Sequence, residues 1–193
     1  ALCRLGGTDR GALRGQPLAE PPSPMIRPIL RYGADTLHRP AAPVAEITPE
    51  IQQLIDDMIK TMYAAPGVGL AAPQIGVPLR IFVADVSVGR DPSALHVFVN
   101  PEFVERDGMQ LEEEGCLSVP GFNATVARPN RATVKGLDRN GVEHTVTGTE
   151  LLARCFQHEM DHLDGTLFVD RLRGLQKDFI VRKIRKLERT GKW

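Results

Sequence analysis

The sequence predicts an α+β domain in which antiparallel β-sheets pack around one central helix, with a further helix at the C-terminal end. Three observations support this. Apolar residues recur at three and four between Ile51 and Met62, short segments rich in Val, Ile and Phe fill the middle of the chain, and helical periodicity returns after Gly148. With 193 residues, 42% of them apolar, the chain suits one domain with a substantial core. Basic and acidic residues balance at 24 each, so no global field selects a polyanionic partner. No run approaches about 18 consecutive apolar residues, and no hydrophobic signal region is present, so no membrane partner is expected. Three cysteines, Cys3, Cys116 and Cys155, are few and odd in number, which argues against a disulfide framework and for a reducing cytoplasm.

Residues 1–24 are rich in Gly, Ala, Arg and Pro and close with Pro21-Pro22-Ser23-Pro24, which predicts a disordered extension. Asp9, Glu20 and a lone Thr and Ser argue against a transit peptide. Met25-Ile26-Arg27-Pro28 reads as a natural start, giving one domain over residues 25–193. Thr48-Pro49-Glu50 then supplies an N-cap, a first-turn proline and an early acid. Ile51, Leu54, Ile55, Met58, Ile59 and Met62 form the apolar face of the helix that follows, and Pro66 ends it.

Gly67 to Gly76 contains Gly67, Gly69 and Ala72 at the spacing of a dinucleotide fingerprint. The context is wrong, because a helix precedes it and Pro73, Gly76 and Pro78 prevent one from following. What remains is a glycine-rich loop that lets a ligand approach the backbone closely, with one amide side chain, Gln74. Strands are predicted at Leu79 to Val86, Leu95 to Asn100, Phe103 to Arg106, Val126 to Lys135 and Val142 to Val146. The last two are joined by the turn signal Asp138-Arg139-Asn140-Gly141. Between the third and fourth of these strands, the acidic run Glu112-Glu113-Glu114 leads directly into Gly115 and Cys116.

The segment Gly148 to Leu163 reads as a helix, with a capping box at Thr147 and Glu150 and a left-handed stop at Gly165. It carries Gln157-His158-Glu159-Met160-Asp161-His162. His158 and His162 lie about 40° apart around the axis, with Glu159 inside the same arc of about 100°. Leu151 and Cys155 continue that face, so it points inward. Two imidazoles one turn apart can chelate one metal ion, and the adjacent carboxylate can take a proton from the ion's water.

A catalytic site of this kind takes a third protein ligand. A metzincin histidine would fall at Phe168, and Asp170, Asp178 and Glu188 are poorly placed. His38, His96 and His144 read as isolated surface or turn residues. Cys116, in a glycine-flanked loop, is the better candidate, the alternative being a small buried residue. Cys155 reads as pocket wall. Beyond this helix, Leu172, Leu175, Phe179, Ile180, Ile184 and Leu187 recur at helical spacing. Residues 171–193 carry nine Lys or Arg against two acids, a net charge of +7.

Three stretches together resemble the motifs of the peptide deformylases: Gly67-Val68-Gly69-Leu70-Ala71-Ala72-Pro73-Gln74, Glu114-Gly115-Cys116-Leu117-Ser118, and Gln157 to His162. The resemblance implies one metal ion per chain on Cys116, His158 and His162. That ion is usually Fe2+, with Zn2+, Ni2+ or Co2+ as substitutes. It implies removal of the formyl group from the N-terminal formylmethionine of nascent peptides. Glu159 matches the general acid/base, and Gln74 and the backbone N–H of Leu117 match the oxyanion-binding groups. Gly69 matches a backbone contact to the peptide, and Val68, Glu114, Leu151 and Cys155 are expected to help form the methionine pocket. The family also points to the ribosome as a partner for the basic C-terminal helix. Asn123 stands where many bacterial members carry an arginine, and the Gly-Phe at residues 121 and 122 also occurs in organellar members. The alternatives are a zincin-like metallopeptidase, which shares the histidines but lacks a third ligand at a recognised spacing, and a non-catalytic ribosome-binding module.

Overall fold

The computed structural model describes residues 22–193, so the extension expected over residues 1–24 lies almost wholly outside them. The first predicted helix forms as α1 (Pro49–Ala64), with the Thr48 side chain accepting from the Ile51 N–H at 3.4 Å. Its buried Asp57 accepts from the Met25 N–H at 2.8 Å and from Arg27 Nε at 2.8 Å, which fastens the start of the expected domain to the helix.

The strands are β1 (Gly69–Ala71), β2 (Ile81–Ala84), β3 (His96–Asp107), β4 (Gln110–Gly115), β5 (Asn123–Arg128), β6 (Arg131–Leu137) and β7 (Glu143–Thr149). An antiparallel five-stranded sheet runs β1-β2-β3-β6-β7, and β4 and β5 form a separate hairpin. Helices α2 (Glu150–Leu163), α3 (Phe168–Arg171) and α4 (Gly174–Arg189) complete the chain. Every residue of β2 is buried because both faces are covered. Ile81 and Val83 pack with α1, while Phe82 and Ala84 pack with α2, as the period of two along a strand requires. Phe82, Phe98 and Phe156 are fully buried with centroids 5.0, 5.5 and 6.0 Å apart, each contributing about 1.5–3 kcal/mol.

Several local expectations are corrected. The glycine-rich segment is not all loop: Gly69–Ala71 is a sheet edge, followed by a 3-10 turn over Ala72–Ile75. The segments around Asn100 are one strand, because Pro101 sits at a bulge where its missing N–H costs no ladder bond. Val126 to Lys135 is two strands in different sheets, broken at Pro129-Asn130. The acidic run, expected to lie between strands, is itself part of strand β4. Thr147 caps no helix. Ladder β6–β7 holds as far as Thr149, and Thr147 Oγ1 faces Thr133 Oγ1 at 2.9 Å, so α2 starts two residues later than predicted. His96 and His144 lie on strands, where His144 stacks on Phe98 with centroids 4.5 Å apart. On α4 only Ile180 and Ile184 are buried, while Leu175 and Phe179 are 87% and 56% exposed.

Gly165 ends α2 as predicted, at φ +73°, and the backbone of Arg39 crosses directly over it. A Cβ there would lie 2.7 Å from the Arg39 carbonyl carbon, whereas one on Gly121, at φ +80°, would meet nothing within 4 Å. Gly121→Ala is therefore expected to cost only the left-handed penalty of about 1–2 kcal/mol. Gly165→Ala should cost clearly more, because residues 39–41 must also move. Chemical denaturation of both variants checks this, and equal midpoints would show that the crossing tolerates a methyl group.

Candidate metal centre

Helix α2 presents His158 and His162 one turn apart, with ring centroids 4.9 Å from each other. Cys116 follows immediately after β4, in a tight turn where the Val119 N–H donates to the Cys116 carbonyl at 2.9 Å. Its Sγ lies 3.2 Å from His162 Nε2, and one donor atom from each of Cys116, His158 and His162 falls within 4.8 Å of the others. Metal–sulfur and metal–nitrogen bonds of about 2.3 and 2.1 Å place tetrahedral donors about 3.6 Å apart, so the cluster fits a single ion. The fully buried His162 has an Nδ1 without a partner among the described residues. One sulfur and two imidazoles suit a first-row transition metal, not Mg2+ or Ca2+.

His158 is oriented by Glu114, whose Oε1 lies 2.6 Å from Nδ1 and leaves Nε2 for the cluster. The Glu114 carboxylate also accepts from Arg128 Nε at 2.6 Å and from Arg154 Nη1 at 2.9 Å. Burial alone would raise its pKa, but the Arg128 guanidinium and His158 hold it well below the usual carboxylate range. Arg128 reaches Asp161 with its remaining amine at 3.0 Å, and Arg171 grips Asp161 from the other side.

Glu159 is buried beside this cluster, with Oε2 unpartnered among the described residues. Burial pushes its carboxyl up to about 7, and a nearby cation would favour the charged form. Gly69 makes room for it: a Cβ at Gly69 would lie 2.4 Å from Glu159 Oε1 and 2.8 Å from Cys155 Sγ. Gln74 is fixed by the Ala71 N–H, which donates to Oε1 at 2.8 Å. Its Nε2 then faces Ser118 Oγ at 3.2 Å and Cys116 Sγ at 3.7 Å. The Cys155 thiol donates to the Val68 carbonyl at 3.3 Å, and burial pushes its pKa up, which suits wall better than ligand.

These groups surround a cavity of about 340 Å³. Val68, Gly69, Gln74, Glu114, Cys116, Leu117, Leu151, Cys155, His158 and Glu159 all line it, and His162 lies behind Cys116. Leu151, expected on the inward face, is half exposed at the rim. A larger cleft of about 880 Å³, between α4 and Pro120–Phe122, contains none of the predicted site residues. Arg128, Arg154, Asp161 and Ser118 belong to the site without having been anticipated from the sequence. One signal was present: Ala124, Val126 and Arg128 fall on one face of β5, and an arginine in that inward series requires a buried carboxylate.

The polypeptide deformylase family matches residues 26–178. The peptide deformylase of Acidobacterium capsulatum is 47% identical over 169 residues, covering 88% of this chain and 99% of that protein. Peptide deformylase 2 of Xanthomonas campestris is 50% identical over 167 residues, covering 85% of this chain and 97% of that one. The crystal structure of a peptide deformylase from Legionella pneumophila superposes with a TM-score of 0.80 at 48% identity, covering 86% of this chain and 97% of the other. The chain belongs to the polypeptide deformylase family, metal-dependent enzymes that remove the formyl group from the N-terminus of nascent polypeptides.

Proposed function

We propose that residues 25–193 form one catalytic domain that deformylates the N-formylmethionyl end of nascent peptides, with Cys116, His158 and His162 holding one Fe2+ ion. Zn2+, Ni2+ and Co2+ are substitutes that the same donor set accommodates. The observation that carries this reading is the buried carboxylate oxygen of Glu159, unpartnered among the described residues, in the cavity that Cys116 and His158 of the Cys/His/His cluster also line. When bound, the cation supplies a water whose pKa falls from about 15.7 to about 7, and so a nucleophile at neutral pH. Glu159 takes the proton of the attacking water and delivers it to the departing amine. Gln74 Nε2 and the Leu117 N–H donate to the oxygen that becomes negative as the carbonyl carbon turns tetrahedral. Gly69, on the sheet edge, hydrogen-bonds the extended peptide as an added strand. Val68, Leu151 and Cys155 enclose the methionine side chain. Glu114 faces the same space, but its carboxylate is committed to Arg128, Arg154 and His158, so its role is to aim the His158 ring.

The cavity's place beside an open strand edge favours a chain terminus as substrate. Formate release from a formyl-Met peptide by anaerobically purified protein should therefore far exceed cleavage of the same peptide without the formyl group. Preferential cleavage of unblocked peptides would favour a zincin-like peptidase instead.

Cys116→Ala is expected to lower metal content and activity together. Glu159→Ala should keep about one ion per chain while kcat falls by about 10²–10⁴, the range for a lost general acid/base. Metal analysis and steady-state kinetics on one preparation separate the two roles. A metal-free Glu159→Ala protein would make the carboxylate a ligand or its support.

Gly69→Ala should reproduce the Glu159 defect in part, because the new methyl group occupies the space of Glu159 Oε1. The expected loss in kcat is at least about 10-fold, with metal retained. Wild-type kcat in this variant would show that Glu159 has another productive position.

The chain works in the cytoplasm on this reading, in keeping with its free Cys116 and Cys155. Among the described residues, no helix is long and apolar enough to cross a membrane. Arg182, Lys183, Arg185, Lys186 and Arg189 are exposed on α4, and we assign them a salt-sensitive contact with ribosomal RNA. Reversing all five charges should weaken co-sedimentation with ribosomes and leave small-peptide kinetics unchanged. Undiminished sedimentation at low salt would exclude the ribosome as the partner of this face.

A further inference from the structure

The ionic chain behind His158 does not stop at Glu114. From the cluster outward it runs from His158 Nδ1 to Glu114, then to Arg128, Asp161 and Arg171, with each neighbour in hydrogen-bonding contact. Arg128, Glu114 and Asp161 are buried, with side chains 2%, 4% and 10% exposed, whereas Arg171 is 41% exposed and lies outside the cavity. We propose that Arg171 is a positioning residue for His158, acting through Asp161, Arg128 and Glu114. This role rests on the metal-site reading above.

Two carboxylates share one guanidinium at the centre of the chain. Arg128 Nε and Nη2 hold both oxygens of Glu114, and Nη1 holds Asp161 Oδ2. Asp161 has a second claim on positive charge, because Arg171 donates to both of its oxygens. With that claim met, Asp161 competes only weakly for Arg128, and Arg128 stays aligned with Glu114. Without Arg171, Asp161 Oδ1 loses its partner, and among the described residues Arg128 is the remaining guanidinium in contact with Asp161. A shift of Arg128 toward Asp161 loosens the Glu114 carboxylate, and with it the bond that sets the tautomer and angle of His158. A partner of this kind directly behind a ligand typically changes metal affinity by about 10–100-fold. Arg171 acts three residues further out, so the low end is expected.

The test uses the cobalt-loaded full chain, whose visible absorption reports ligand geometry at the ion. Arg171→Ala should weaken cobalt affinity by about 10-fold in chelator competition, shift the visible band, and lower kcat with little change in KM. Arg171→Lys, which keeps the charge and one donor, should recover most of the band and affinity. Arg171→Gln replaces the alanine variant should that one fail to fold. Arg80→Ala serves as the control. Arg80 also ties down the end of α2, through Asp164 at 2.9 Å, but is not in contact with Asp161. It should lower thermal stability without moving the cobalt band. An unchanged band and affinity in Arg171→Ala, no recovery by lysine, or an equal band shift in Arg80→Ala would each overturn the proposal. Cobalt binding by wild type against Cys116→Ala tests the metal-site reading separately, so failure of one is distinguishable from failure of the other.

Discussion

The buried pairing of Arg128 with Glu114 is the interaction on which the rest of the site depends. Removing one partner of such a pair leaves an uncompensated charge in the interior and costs about 3–5 kcal/mol. Here the pair also joins two parts of the fold that share no sheet. Glu114 and Arg128 lie on strands β4 and β5, while Arg154, His158 and Asp161 lie on α2. Glu114 stands two residues before Cys116, so one carboxylate fixes both where the thiol emerges and how the His158 ring is turned. The hairpin and the helix cannot shift relative to one another without breaking charged hydrogen bonds between buried side chains.

A second constraint is steric and comes from the opposite side. The edge strand β1 passes so close to α2 that only a residue without a side chain fits at Gly69. Glu159 is thereby pressed between the sheet and the helix, in a setting dry enough to raise its carboxyl to about 7. The polar network on one flank and the tight packing on the other bound the cavity between them.

What could be read from the sequence follows the range of the forces involved. The cap at Thr48, the stop at Gly165 and the turn at Gly141 are local effects, and each is visible within a few residues. The His158–His162 spacing is also local, which is why the centre of the site is legible in the chain itself. Expectation and fold part where a distant partner decides. The helix α2 begins late because β6 holds β7 to its end, and the acidic run is a strand because β5 pairs with it. Leu175 and Phe179 keep helical spacing yet stay exposed, since spacing states a face and not what covers it. The ionic chain from Glu114 to Arg171 spans four elements, β4, β5, α2 and α3, and only the inward arginine of β5 hints at it.

The edge formed by β1 has one further consequence. At Ala71 the outward N–H is already taken by the Gln74 side chain, and the strand is only three residues long. Backbone direction repeats every second residue, so Gly69 is the place where outward-facing backbone groups remain. An exposed strand edge is ordinarily a template on which other chains can stack. This one is short, three residues with the Ala71 N–H already taken, which suits the single extended peptide proposed above better than a second sheet. The side chain proposed above to meet the reacting carbonyl is thus also the one that closes this sheet edge at Ala71, so on that proposal one glutamine serves both the sheet and the substrate.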